Sequence, residues 1–364
     1  MESLTWLLGG GWAIIPILGL LMIAHELGHF IVAKRSGIVV EEFAIGFPPL
    51  LFSRVARDGV RYSLNLIPLG AYVKMLGEED PTAAGSFASQ SKRIRLAVLV
   101  AGSAMNFLVA VAAFSLAYAT GWPDSSAAPI EIGGIAADSP AQAAGLQPGD
   151  VVRRVDGKDV AAIPEFQREI QDHLGQPMQL VLERGGQTVT IVVSPRVEAP
   201  EGQGALGVQL VRRAVPVPHN PIQSIGFGLR RTLDFILVTL AAPVMVLSGQ
   251  LSPEMARPIG LPGMTQVAAQ AANAVIETGW WFPILLITGG FSAGLAVVNM
   301  LPLPALDGGR ALFVVIEAIR GRRIRPEREA LIHLVGMALL LSLMVIVSFN
   351  DLLTPLAHID WGLR

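Results

Sequence analysis

The sequence predicts a polytopic α-helical membrane protein of four spans, with one α+β domain inserted on the extracytoplasmic side. Three observations carry this expectation. Of the 364 residues 52% are hydrophobic and only 15% are charged, well short of the roughly 25% charge of soluble domains. Four segments, Trp12–Ala33, Leu96–Ala119, Trp281–Leu301 and Leu331–Phe349, are long and apolar enough to cross a hydrocarbon core of about 30 Å. Between the second and third lies Trp122 to Val217, a polar, turn-rich stretch of the length one small core needs.

Charge orients the spans. Nine Lys and Arg fall in residues 34–95 and six in residues 302–330, and none precedes Trp12. The positive-inside tendency makes those two loops cytoplasmic and sets the N-terminus and the inserted domain outside. The N-terminus has no basic run and no small-residue cleavage site, so it does not read as a cleaved signal peptide. A fifth apolar segment, Ile225–Gly249, carries Arg230, Arg231, Asp234 and Pro243, so its clean apolar stretch is too short for a span. It is expected to lie along or dip into the outer face. The chain then divides into residues 1–121 (first part of the membrane core), 122–217 (inserted domain), 218–280 (interfacial linker helices) and 281–364 (second part of the core). A net charge of −2 gives no reason to expect a nucleic-acid partner. With no cysteine, any metal must be held by His and carboxylate.

Within the inserted domain, Ile130–Ile135 and Val151–Val155 read as strands. Pro164 opens a helix with Phe166 and Ile170 on one face. Met178–Glu183 and Thr188–Val193 flank Gly185-Gly186 as a hairpin. The run Ser139-Pro140-Ala141 with Ala144-Gly145-Leu146, Gly149-Asp150-Val151 and Gly157 resembles the SPAxxAGLxxGDxIxxxxG signature of bacterial PDZ domains. That resemblance suggests Leu206-Gly207-Val208 as a peptide-carboxylate loop, although a Gly-Val pair also fits an ordinary strand.

The chemistry is concentrated in the first span. His25-Glu26-Leu27-Gly28-His29 lies in an otherwise charge-free apolar run, where ionisable groups are costly and mark function. On a helix, residues i and i+4 share a face, so both imidazoles can meet one metal, and the order is the HExxH of zinc hydrolases. Glu26 lies between them in azimuth, within reach of a water at the metal. His25 is 13 residues past Trp12, about 20 Å at 1.5 Å per residue, in the inner half of the span. After the third span, Asn299-Met300-Leu301-Pro302-Leu303-Pro304-Ala305-Leu306-Asp307-Gly308-Gly309 cannot continue a helix. Asp307 there is either a third metal ligand or the N-cap of a following helix. Among the other histidines, His173, His219, His333 and His358, none has a partner at ligand spacing.

HExxH in span one, a PDZ signature between spans two and three, and NxxPxPxLDG after span three together resemble the site-2 proteases, the intramembrane zinc metalloproteases. The likeness is to the bacterial branch that regulates sigma factors. It implies one Zn2+ held by His25, His29 and Asp307, with Glu26 as the catalytic base. Asn299 matches the Asn of the LDG motif, implied to help hold substrate. The family's Gly-Pro-x-x-Asn-Phe appears as Gly102-Ser103-Ala104-Met105-Asn106-Phe107, without the proline. One PDZ signature stands where well-known members carry two, and Gly294 stands where some carry Asn. The implied partners are lipid, single-pass membrane protein substrates of the anti-sigma type, and an upstream site-1-type protease that cuts the same substrate first. The implied location is the bacterial inner membrane.

Two further groups are candidates for handling substrate. A helical substrate hides its carbonyls and must be extended before cleavage, and an exposed strand edge would pair with it. Gly70–Leu76, after a strand-like Arg61–Ile67, alternates in a way that would present Tyr72, Val73 and Lys74 on such an edge; a purely structural hairpin is the alternative. Asn106 is the other polar group inside a span, for substrate or for an interhelical hydrogen bond. A zinc transporter would also place His and Asp in spans but does not account for Glu26 or the PDZ signature. A non-catalytic scaffold does not account for intact HExxH and LDG.

Overall fold

In the computed structural model the described residues are 10–364 apart from 79–82, 127, 201, 255, 325, 360 and 362–364. The chain forms two compact units: residues 121–218, and residues 1–120 together with 219–359.

In the larger unit, a 3-10 turn (Gly11–Ala13) leads into α1 (Ile14–Arg35), followed by β1 (Val40–Val55), β2 (Arg61–Met75) and α2 (Lys92–Gly121). The smaller unit runs β3 (Trp122–Asp124), β4 (Ile130–Ile135), α3 (Pro140–Ala143), β5 (Val151–Val155), β6 (Lys158–Asp159), α4 (Ile163–Asp172), β7 (Met178–Arg184), β8 (Gln187–Val193), β9 (Val208–Val211) and β10 (Val215–Val217). The chain then returns to the larger unit as α5 (Pro221–Leu247), α6 (Leu261–Thr278), α7 (Phe282–Met300), α8 (Asp307–Arg320) and α9 (Pro326–Leu353).

Among the described residues four helices are long and apolar enough to cross a membrane: residues 11–35, 92–121, 282–300 and 327–353. They fall on the four segments expected from hydropathy. α5 is one continuous 27-residue helix, capped by Asn220, whose side chain accepts from Gln223 N, with Pro243 inside it. Its Gly228 rests on Ser115 of α2, and its Phe235 lies beside Gly290 of α7. Asp351, fully buried near the end of α9, accepts from the amides of Gly260 and Gly263 at the start of α6 and pairs with Arg257. A carboxylate at a helix N-terminus satisfies orphan donors and the helix dipole together.

β1 and β2 are bent, and each pairs twice. Phe43 faces both Val73 and Tyr62, while Leu64 faces both Ile45 and Phe52. The ribbon is therefore four segments wide in the order 50–55, 61–67, 40–47, 70–75, and the last segment is an edge. That edge runs along α1: Val73 bonds Glu26, and the Pro68 carbonyl lies beside Gly19, seven residues and about 10 Å further up the helix. The ribbon thus stands beside the C-terminal half of α1 rather than wholly beyond its end. Its far half exposes Phe47, Leu50, Phe52, Val55, Leu64 and Leu66, an apolar surface unsuited to water.

The smaller unit is an antiparallel sheet of order β8-β7-β5-β4-β9, with β6 beside β5. Phe166 and Ile170 of α4 pack on Ile132, Val155, Leu180 and Leu206 in its core. Glu165 accepts from the amides of Ala161 and Ala162, which starts α4 where Pro164 predicts it. Leu206-Gly207-Val208 enters β9, an edge strand, with Gly207 at φ +71.

Candidate metal centre

α1 carries no charge until its fourth turn, and its buried stripe is Ile14, Ile17, Leu21, Ala24, His25, Gly28, His29 and Ala33. The helical repeat therefore puts both histidines on the packed face. That face meets α2 closely. A methyl at Gly28 would run into the Ala101 carbonyl, and one at Gly102 would run into the imidazoles of His25 and His29. Glycine at both positions lets the backbones approach as small residues do between membrane helices.

The close approach orients the rings. His29 Nδ1 lies 2.7 Å from the Val98 carbonyl, which can only accept, so Nδ1 carries the hydrogen and Nε2 keeps its lone pair. His25 Nδ1 lies 3.3 Å from the side-chain nitrogen of Asn106. Asn106 is buried and its Oδ1 has no partner. With the amide turned over, Oδ1 accepts from His25 Nδ1–H, which satisfies the orphan and leaves Nε2 open. Ser292 of α7 donates to the Asn106 backbone carbonyl at 2.7 Å, tying the third span to the second.

Asp307 arrives from the other end of the chain. α7 stops at Met300, and Pro302 and Pro304 hold the next residues out of helix. Gly308 and Gly309 then fold the start of α8 back onto this loop, where a methyl on either would strike the backbone of residues 300–304. Asp307 is the first residue of α8, with Leu306 at the cap position. Its Oδ2 lies 3.0 Å from His25 Nε2 and 3.1 Å from His29 Nε2, and those two nitrogens are 3.1 Å apart. The side chain is directed at the two histidines, and the cap position belongs to Leu306.

The three donors suit zinc. A tetrahedral centre with bonds of about 2.0–2.1 Å holds its donors about 3.3 Å apart, close to the separations here, and two imidazoles with a carboxylate leave a fourth position open.

Glu26 points to the ribbon, where its Oε2 accepts from Val73 N at 3.1 Å. Val73 therefore lies at the centre, with half-buried Tyr72 beside it on the same edge segment. Lys74 is exposed and pairs with Glu41 at 2.8 Å, away from the histidines. Asn299, on the last turn of α7, is half-buried and its side chain makes no hydrogen bond among the described residues. His173 pairs with Asp156, His219 packs on Tyr118 and Phe227, and His333 accepts from Ala305 N, so none of these joins the centre. Sequence reasoning did not find Val98, Gly28 or Gly102. Gly102 stood in the motif around Asn106, but only the helix crossing shows what it is for.

The model of peptidase family M50 matches residues 13–343. The chain belongs to peptidase family M50. It is therefore a zinc metalloprotease of the site-2 protease family, and His25, Glu26, His29 and Asp307 occupy its HExxH and LDG motifs. Other M50-type sequences are similar along nearly their whole length. Zinc metalloprotease RasP of Oceanobacillus iheyensis is 30% identical, covering 93% of this chain and 98% of that one. RasP of Geobacillus kaustophilus is 28% identical, over 93% and 96%. The protein CPE1693 of Clostridium perfringens is 33% identical, over 92% and 96%. A solved PDZ domain, from the SdrC-like protein of Listeria monocytogenes, matches 23% of this chain and 87% of that one at 20% identity, with a TM-score of 0.21.

Proposed function

We propose that this metalloprotease cuts single-pass membrane proteins within or beside their transmembrane helix. The observation that carries the reading is the pairing of a His-His-Asp centre, deep in an apolar helix, with the free edge of a β-ribbon at Glu26. A substrate helix must unwind to expose a carbonyl, and an edge strand can take up the backbone groups so released. The chemistry supplied by zinc, when bound, is polarisation of the scissile carbonyl and acidification of water towards neutrality. His25, His29 and Asp307 hold it. Glu26 takes the proton of the attacking water and hands it to the leaving amine. Tyr72 and Val73 extend the substrate along segment 70–75, Lys74 flanks it at the exposed end of that segment, and Asn299 contributes a polar contact from the end of α7. Asn106 acts through His25 rather than on substrate, since it is buried against the ring.

The setting follows from charge and from the parity of the spans. The enzyme lies in the bacterial inner membrane with residues 302–330 in the cytoplasm and the inserted domain outside. α5 stays at the outer face, because a fifth crossing would put Asp307 on the opposite side from His25. The PDZ signature and the free edge of β9 support a domain that screens substrates by their ectodomain or new C-terminus. Cleavage then follows an earlier extracytoplasmic cut by a site-1-type protease, and anti-sigma proteins are the substrate class this order suits.

The test is Glu26→Gln in purified full-length protein, with bound zinc and cleavage of a single-pass substrate both measured. A protease keeps its zinc and loses cleavage. Unchanged cleavage would remove Glu26 from the mechanism, and zinc flux across vesicles in the variant would favour a transporter.

A further inference from the structure

We propose that His333 of the fourth span is a positioning residue for the metal centre, holding the loop before Asp307 in the one backbone conformation that aims its carboxylate at His25 and His29. The inference rests on the reading of Asp307 as a metal ligand.

Ala305 has φ +73, a left-handed conformation that an alanine adopts only when its surroundings impose it. It sits between Pro304, whose ring fixes its own φ, and Leu306-Asp307, so the direction in which the chain enters α8 is set at this residue. The imposed contact is visible: Ala305 N donates to His333 Nδ1 at 2.8 Å. Accepting at Nδ1 places the hydrogen on Nε2, which lies 4.0 Å from Glu329, one turn back on α9. The ring is held edge-on to Phe313 of α8 with centroids 5.3 Å apart. One turn onward, Gly336 lets Pro304 lie against the α9 backbone, where a methyl would strike the proline ring. These contacts matter because α9 is otherwise sparsely packed: 6% of its apolar window is buried, against 39–50% for the other three spans. Besides the buried Asp351 near its other end, the loop at 304–305 is thus a point where the fourth span grips the rest of the larger unit, and it lies two residues from the Asp307 carboxylate.

His333→Phe keeps a ring against Phe313 and deletes the acceptor, while His333→Asn returns an acceptor near the Nδ1 position. Both are made in the full-length protein, along with Ala305→Gly, the pair Ala305→Gly with His333→Phe, and Asp307→Asn. Two quantities are read: zinc retained during dialysis against a chelator, and kcat and KM on a single-pass substrate. Loss of an orienting contact at a metal site costs about 10–100-fold in affinity, so His333→Phe should lose zinc about tenfold more readily, with kcat falling and KM steady. His333→Asn should recover most of this. Glycine at 305 takes the left-handed conformation freely, so it should largely suppress the effect of His333→Phe. Wild-type retention in His333→Phe overturns the proposal. So does an Asn variant as poor as Phe, or an Ala305→Gly background that leaves the loss unchanged. Should His333→Phe fail to fold, the Asn variant and the suppressor pair still decide. Asp307→Asn separates the two levels: if it retains zinc as the wild type does, the ligand assignment fails; if it loses zinc while His333→Phe does not, only the positioning role fails.

Discussion

The amide of Val73 donates to the carboxylate of Glu26 across 3.1 Å, so the group proposed to transfer the proton is held by the backbone of an edge strand. An outward-facing amide on an edge strand can be removed by proline without breaking the ladder to its neighbour. Val73→Pro is therefore expected to keep bound zinc and to lose about 100-fold in cleavage, the scale of a displaced general base. Zinc analysis beside a cleavage assay checks this. Loss of zinc in parallel would mean that the ribbon supports the metal site and not the base.

Gly102 faces both imidazoles, and a Cβ there has nowhere to go. Gly102→Ala should push α1 from α2, at a cost of about 1–3 kcal/mol as overpacking usually does, and should lower bound zinc and activity together. Gly226→Ala on α5, where nothing lies within 4 Å, is the matched control and should be silent. A fully active Gly102→Ala enzyme would show that the two helices sit further apart.

How much of this was open to sequence reasoning depended on whether the signal was local. His25, Glu26 and His29 stood out because charge is costly in a span, and Asp307 because two prolines break the helix before it. α4 and the β7–β8 hairpin were legible from Pro164, from their apolar periodicity and from Gly185-Gly186. β1 was not: Pro48-Pro49-Leu50-Leu51-Phe52 shows neither alternation nor a clean turn, and its strand character comes from pairing twice with β2. The continuous helix α5 was obscured by Arg230, Arg231 and Asp234, all of which it carries on its surface. The services of Val98, Gly102 and His333 to the centre depend on contacts between distant segments, which leave no periodic trace.

In the inserted domain, Asp150 is buried and accepts from Nε and Nη2 of Arg184, each at 2.7 Å. Burial pushes this carboxyl up, but the guanidinium outweighs it and sets it below the usual range. A depressed native value stabilises the fold above the unfolded carboxyl's pKa of about 3.9, and that contribution is lost as pH falls through the native value. Arg184→Ala should destabilise the domain by about 3 kcal/mol at neutral pH, since it strands a buried charge, and should flatten the loss of stability in acid. Pulse proteolysis of the full chain across pH 2–7 reads both effects, and an unchanged acid slope would contradict the assignment.

A four-span topology puts the segment after α5 outside. Cysteine introduced at Gln250 or Ser252, into a chain that has none, should react with a membrane-impermeant reagent from the extracytoplasmic side. Labelling only from the cytoplasm would overturn both the span count and the inner-half position of the zinc.

If the inserted domain screens substrates, removing residues 122–217 should let full-length substrates be cut without a prior extracytoplasmic cleavage. Cleavage of uncut and pre-cut substrates in parallel gives the ratio directly. A ratio equal to the wild type's would leave the domain without a filtering role.

His29 and Asp307, which meet in the candidate centre, are 278 positions apart in the chain, with the whole inserted domain synthesised between them. At about 5–20 residues per second, the ribosome needs roughly a quarter of a minute to a minute to get from His29 to Asp307. For that interval the growing chain carries His25 and His29 without the carboxylate that completes the His-His-Asp cluster. With Asp307 as the third ligand, the order of synthesis itself sets a delay before the centre can be complete, the delay that a removable pro-segment provides in secreted proteases.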